Sequence, residues 1–188
     1  MGTILIGSHN SMTYLRPKKW WMRLISFTSK CQNWGISGQY DMGARYFDLH
    51  IRVTKKNKIV FAHGLMEYQE NVFMIFNIIK NFNERCYIRI VHENSFGKST
   101  SDSIIGLVEF LIHDMGMNVH CYIDKKTGDV ITYNEDIEIH DQYTNYSGKL
   151  CIPNPLKEAK KWAKKKEEIH PVDQSKIAVV FRDFVELF

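Results

Sequence analysis

The sequence predicts an α/β fold with a largely parallel sheet, and three observations lead there. Short segments rich in β-branched and aromatic residues alternate with longer ones whose apolar residues return every three or four positions. Alternating strands and helices build a parallel sheet through helical crossovers. Ionisable residues gather just after several strand segments, where parallel α/β folds collect their functional groups. Finally, 188 residues of which 44% are hydrophobic and 13% aromatic are enough for one domain with a substantial core.

The predicted strands, in chain order, are 3–7 (TILIG), 44–53 (ARYFDLHIRV), 58–62 (KIVFA), 86–91 (CYIRIV), 119–123 (VHCYI), 129–133 (DVITY), 149–152 (KLCI) and 176–182 (KIAVVFR). The spacing predicts helices over 69–82, 102–115 and 155–168, the last with Asn154 as its cap and Pro155 in its first turn. Lys-Lys-Asn-Lys at 55–58 and Asp-Lys-Lys-Thr-Gly at 124–128 read as hairpin turns. There is no internal repeat, low-complexity segment or linker, so residues 1–188 are expected to form a single domain.

Composition excludes several classes. Cys31, Cys86, Cys121 and Cys151 form no C-x-x-C pair, so neither a structural zinc site nor a disulfide framework is indicated, and buried reduced thiols are expected. No run of about 18 apolar residues marks a membrane span, and the N-terminal residues lack a signal-peptide pattern. A soluble protein is expected, acting at a membrane periphery or secreted by a route the sequence does not display. The 25 basic residues against 21 acidic form no stripe and no recognition motif, which argues against nucleic acid. The sequence does not address oligomeric state. The basic run from Lys157 to Lys166 is interrupted by Glu158 and keeps Leu156, Ala159 and Ala163 for packing, so it reads as a solvated helix face.

The chemistry sits at the strand ends. His9 and Asn10 follow the first strand, Asp48 and His50 lie late in the second, His63 follows the third, and His92 and Glu93 follow the fourth. Two imidazoles flanking a phosphate serve as general base and general acid, because a pKa near 6.5 lets one be neutral while the other is charged. Asn10, Asp48 and Glu93 offer the oxygen ligands that a hard cation such as Ca²⁺ takes. Taken singly, each histidine is also consistent with an ordinary hydrogen-bonded surface residue.

Gly-Ser-His-Asn-Ser at 7–11, Gln32 and Ile36 leading to Gln39-Tyr40-Asp41-Met42-Gly43-Ala44-Arg45-Tyr46-Phe47-Asp48, then His63-Gly64, then a strand ending in Glu93-Asn94, together resemble the X region of phosphatidylinositol-specific phospholipase C. The resemblance covers roughly residues 4–95. It implies a distorted TIM-type (β/α) barrel, trimmed here because a full one takes about 250 residues. It implies a phosphoric diester hydrolase that cleaves the bond between inositol phosphate and diacylglycerol. His9 would take the proton from the inositol 2-hydroxyl as that oxygen attacks phosphorus, and His63 would protonate the departing glycerol oxygen. Water would then open the cyclic phosphate with the two roles reversed. Asp48 matches a position that either orients the first histidine or binds calcium.

His50 departs from the pattern, because metal-independent members carry arginine there and calcium-dependent members carry aspartate. Asp48 and Glu93, if uncompensated, would repel a phosphate, so a divalent cation, Ca²⁺ foremost, is expected on Asn10, Asp48 and Glu93. His50 would then contact phosphate as a cation or ligate a softer metal, and a metal-free site with charged His50 is the alternative. Lys18, Lys19, Trp20 and Trp21 follow the first catalytic loop and suit transient contact with a phospholipid surface, or else one indole packs inward. Glycerophosphodiester or sphingomyelin cleavage, and a catalytically silent lipid-binding barrel, are the competing readings. Arg45 is left outside the catalytic set; Arg89 and Arg182 could reach a phosphate, though alternation alone does not say which side of the sheet they face, and Asp183, after the last strand on the same rim, is a weaker polar candidate.

Overall fold

A computed structural model describes residues 3–94, 101–141, 154–164 and 175–187. The strands are β1 (Ile4–Ser8), β2 (Ala44–Val53), β3 (Ile59–His63), β4 (Met66–Glu67), β5 (Tyr87–His92), β6 (Asn118–Asp124), β7 (Val130–Thr132), β8 (Ile137–His140) and β9 (Ile177–Arg182). The α-helices are α1 (Ile36–Asp41), α2 (Val72–Lys80), α3 (Ser101–His113) and α4 (Pro155–Ala163), joined by 3₁₀ segments at Trp20–Thr28 and Val185–Leu187.

Six strands run parallel in the order β8, β9, β1, β2, β5, β6, and β7 pairs antiparallel with β6 at one edge. Beyond the end of β1, the last residues of β2 turn back through β3 in an antiparallel hairpin, and β3 pairs with β4. The sheet curls into a trimmed, open barrel. Both turns expected of hairpins, at 55–58 and 124–128, join antiparallel strands.

Alternation along the strands decides what faces where. Phe47, Leu49 and Ile51 of β2, with Ile88 and Ile90 of β5, pack outward against Ile75, Phe76 and Ile79 of α2 and Ile104, Val108 and Leu111 of α3. Tyr46, Tyr87, Val179 and Phe181 fill the interior in a second cluster. With both faces covered, β2 is buried along almost its whole length, although polar residues alternate with its apolar ones. A period of two then puts Asp48, His50 and Arg89 on the interior side with Tyr46 and Tyr87.

Local signals explain the helix boundaries. Asn71 Oδ1 accepts from the amides of Phe73 and Met74 and caps α2; Asn154 Oδ1 accepts from Lys157 N and caps α4, with Pro155 first in the helix as expected. In α4, Pro155 and Ala159 are buried, but Leu156 is exposed rather than packed. The expected 149–152 strand and the end of the 155–168 helix lie outside the described residues. Helix α1, strands β4 and β8 and the two 3₁₀ segments were not expected, because each is too short or too irregular to show a period.

Gly7 answers to a close approach. A Cβ there would lie 2.7 Å from Phe181 Cδ1 and 2.8 Å from Val179 Cγ1, both in the fully buried interior cluster. Gly7→Ala is expected to destabilise the protein by about 1–3 kcal/mol through overpacking, read as a lower urea midpoint with an unchanged m-value.

Candidate active site

The C-terminal ends of β1, β2, β5, β6, β8 and β9 meet on one rim around a cavity of about 310 Å³, lined by His9, His50, His63, Arg89, Lys125 and Asp141 among others. The stretch GSHNS turns over this rim and is tied on every side. Ser11 N donates to the Asp48 carbonyl at 2.9 Å, Asp48 N donates to Ser11 Oγ at 2.9 Å, and Asn10 N donates to Asp48 Oδ2 at 3.0 Å. Gln39 and Gln32, both fully buried, bond the Ser11 and His9 carbonyls at 2.8 and 3.0 Å. Asn10 adopts a left-handed φ of 46°, a conformation asparagine tolerates.

His9 is oriented by a carboxylate that directly follows the last strand. Its Nδ1 lies 2.7 Å from Asp183 Oδ1, while Asp48 Oδ2 stands 4.0 Å from Nε2. Burial lowers the His9 pKa, but the charge and hydrogen bond of Asp183, with Asp48 adding, outweigh it and leave it raised. Asp183, a weaker candidate by sequence, is thus the direct partner of His9.

His63 ends β3 and lines the same cavity as His9. Its Nδ1 donates to the Ser29 carbonyl at 3.1 Å, and Arg52 donates to the carbonyl of the following Gly64. The His63 ring meets His50 edge to face, with centroids 5.5 Å apart. Burial, then the neighbouring His50 and His9, push the His63 pKa down to about 3.

Asp48, His50 and Glu93 form a buried chain. His50 Nε2 lies 3.2 Å from Asp48 Oδ2 and its Nδ1 lies 2.7 Å from Glu93 Oε1, so both ring nitrogens face carboxylates. Both carboxylates also have a cationic partner. Arg89 Nε donates to Asp48 Oδ1 at 2.8 Å, and Lys125 Nζ donates to Glu93 Oε1 at 2.7 Å. Burial raises the Asp48 pKa, yet Arg89 and His50 outweigh it and hold the carboxyl well below its usual range.

Burial likewise raises Glu93, but His50 and Lys125 bring it down to about 2. A depressed carboxyl contributes stability above its ordinary value of 4.5 and loses it as pH falls through its folded value of about 2. The melting temperature is therefore expected to drop between these two pH values, with a shallower drop in Glu93→Gln.

Sequence reasoning missed Lys125, and it gave Arg89 and Asp183 only as weaker candidates. Arg45, also left out, forms a bidentate pair with Glu84 at 3.0 and 2.6 Å, a structural role. His92 is buried beneath the rim with Asp124 at 3.1 Å.

No family model matches the chain, and no curated protein does. Solved structures do. A point mutant of the phosphatidylinositol-specific phospholipase C from Staphylococcus aureus superposes with a TM-score of 0.63 at 12% identity, covering 96% of this chain and 84% of that one. The phosphatidylinositol-specific phospholipase C from Listeria monocytogenes gives 0.57 at 14% identity, covering 99% and 90%. The fold is that of phosphatidylinositol-specific phospholipase C.

Another Staphylococcus aureus structure, from work on the membrane binding of that phospholipase C, gives 0.55 at 13% identity and covers 96% and 72%. The phospholipase C fold bears out the trimmed barrel expected from sequence, and it extends well past residue 95, where the motif resemblance ended. No helix among the described residues is long and apolar enough to cross a membrane.

Proposed function

We propose that this chain is a phosphodiesterase that cleaves phosphatidylinositol-type lipids to diacylglycerol and a cyclic inositol phosphate by paired-histidine catalysis. The observation that carries this reading is the joint placement of His9, held by Asp183, and His63, held by Ser29, on one cavity that also presents Arg89 and Lys125. With Nδ1–H donated to Asp183, neutral His9 offers Nε2 as the base for the inositol 2-hydroxyl. With Nδ1–H donated to Ser29, His63 carries its catalytic proton on Nε2 and delivers it to the leaving glycerol oxygen. A bound phosphodiester anion opposes the depression of the His63 pKa, so that proton arrives with substrate.

The positive charge this reaction needs is assigned to Arg89 and Lys125. Of the residues expected to hold Ca²⁺, Asn10 suits it: its Oδ1 is buried without a partner among the described residues. Asp48 and Glu93 suit it poorly, because a cation between them would have to displace Arg89 or Lys125. The proposed reaction therefore runs without a resident metal. His50 bridges the two carboxylates and keeps Asp48 and Glu93 in place; neither ring nitrogen is turned to a phosphate.

The 3₁₀ segment supports a lipid substrate. Trp20 and Leu24 are each 72% exposed, and Trp21, Ile25 and Phe27 are exposed beside Lys18 and Lys19. Neither indole packs inward, and Ser29, which holds His63, follows directly. We assign this segment to transient contact with the membrane. Trp20→Ser with Leu24→Ser is expected to weaken sedimentation with anionic vesicles while sparing hydrolysis of a monomeric water-soluble substrate.

The deciding experiment offers phosphatidylinositol, sphingomyelin and glycerophosphodiesters with and without chelator. Phosphatidylinositol is expected to be cleaved in preference and at the same rate in chelator. Cleavage that needs added Ca²⁺ overturns the metal-free reading, preference for another headgroup overturns the substrate, and no cleavage of any of them favours a silent lipid-binding barrel.

A further inference from the structure

We propose that His9, Cys31 and Asp183 form a site for a thiophilic divalent ion of the Zn²⁺ class, whose binding withdraws His9 from catalysis. The inhibition rests on the function proposed above; the binding does not.

One ligand atom from each of these three side chains lies within 4.8 Å of the other two. Cys31 is 1% exposed and reaches the cavity from the segment between the Trp20–Thr28 turn and α1. It is anchored on both backbone sides: its N–H donates to Thr13 Oγ1 at 2.9 Å, and its carbonyl accepts from Phe184 N at 2.6 Å. That anchoring pins the thiol between the GSHNS turn and the residues following β9. Asn10 lies against the same group, with Nδ2 3.0 Å from His9 Nε2 and 3.6 Å from Cys31 Sγ. Asn10 is 3% exposed, and its Oδ1 lacks a partner among the described residues.

Thiolate, imidazole and carboxylate together select a borderline or soft ion over Ca²⁺ or Mg²⁺. Bonds of about 2.0–2.3 Å in a tetrahedron set ligand atoms roughly 3.3–3.8 Å apart. The present spacing needs side-chain rotations of about an ångström, closing on Cys31 and opening the 2.7 Å contact between His9 and Asp183. The thiol proton passes to solvent, the His9 proton moves from Nδ1 to Nε2 as the ion takes Nδ1, and water takes the fourth position. A histidine held on an ion no longer accepts the substrate proton.

The test uses the full chain with Co²⁺ as a spectroscopic probe. The wild type is expected to show a thiolate-to-Co²⁺ charge-transfer band in the near ultraviolet, one ion per chain, bleached by Zn²⁺. Cys121→Ser is expected to keep the band. Cys31→Ser, with folding checked by circular dichroism, is expected to lose it and to bind Zn²⁺ more weakly by over the roughly 10–100-fold that a change outside the ligand shell costs. Should Cys31→Ser fail to fold, Asp183→Asn is expected to lower Co²⁺ affinity while keeping the thiolate band at saturation.

No band in the wild type, or an undiminished band in Cys31→Ser, overturns the site. Zn²⁺ is further expected to slow lipid cleavage reversibly, with chelator restoring it. A Zn²⁺-loaded wild type that cleaves lipid at full rate overturns the inhibitory part. If no form cleaves lipid, the function proposed above fails, and the cobalt band still decides the site.

Discussion

His9→Ala and His63→Ala are each expected to lower kcat/KM on phosphatidylinositol vesicles by about 10²–10⁴-fold, the range a positioned acid or base contributes. Neither ring is a large part of the apolar core, so urea unfolding should stay close to wild type. Because base and acid act in one transition state, the double variant should lose far less than the product of the two single losses. Asp183→Asn should lie between wild type and His9→Ala, since the 2.7 Å contact at Nδ1 fixes the ring whose Nε2 does the work. Equal activity in wild type and His63→Ala would remove the acid from the scheme.

The largest expected effect on stability belongs to Arg89→Met. Asp48 is 0% exposed, and its charge is held by Arg89 Nε at 2.8 Å and by His50 at 3.2 Å. Methionine keeps much of the apolar stem, whose guanidinium also lies over the Phe181 ring at 4.3 Å, but it strands a buried carboxylate. Breaking a buried pair in this way costs about 3–5 kcal/mol. Adding Asp48→Asn should recover much of that loss, and a urea double-mutant cycle measures the coupling directly. Full additivity would mean that Asp48 does not depend on Arg89.

The parallel α/β pattern was legible because β2, β5 and β9 are dense in β-branched and aromatic residues, and because α2 and α3 carry a clear apolar period. His9, Asp48, His50, His63 and Glu93 were legible as neighbours for the same reason: each lies late in a strand or follows one, and the structure puts His9, His50 and His63 on one cavity with Asp48 and Glu93 bonded to His50. Charge compensation was not legible. Arg89 sits mid-strand between Ile88 and Ile90, and alternation alone does not say which neighbours face the interior. Lys125 begins a polar turn whose composition reads as solvated, yet the parallel pairing of β5 with β6 sets it beside Glu93. Asp183 lies 174 positions from His9, and only the pairing of β1 with β9 makes them neighbours. A cation was expected from two carboxylates whose basic partners come from elsewhere in the chain.

The most direct measurement is phosphorus NMR of the products released from phosphatidylinositol vesicles in the presence of chelator. A cyclic inositol phosphate appearing first and opening slowly to the acyclic phosphate, with both signals lost in His9→Ala and His63→Ala, is the predicted result. Release of acyclic phosphate alone, or a cyclic product undiminished in His9→Ala, would contradict the account.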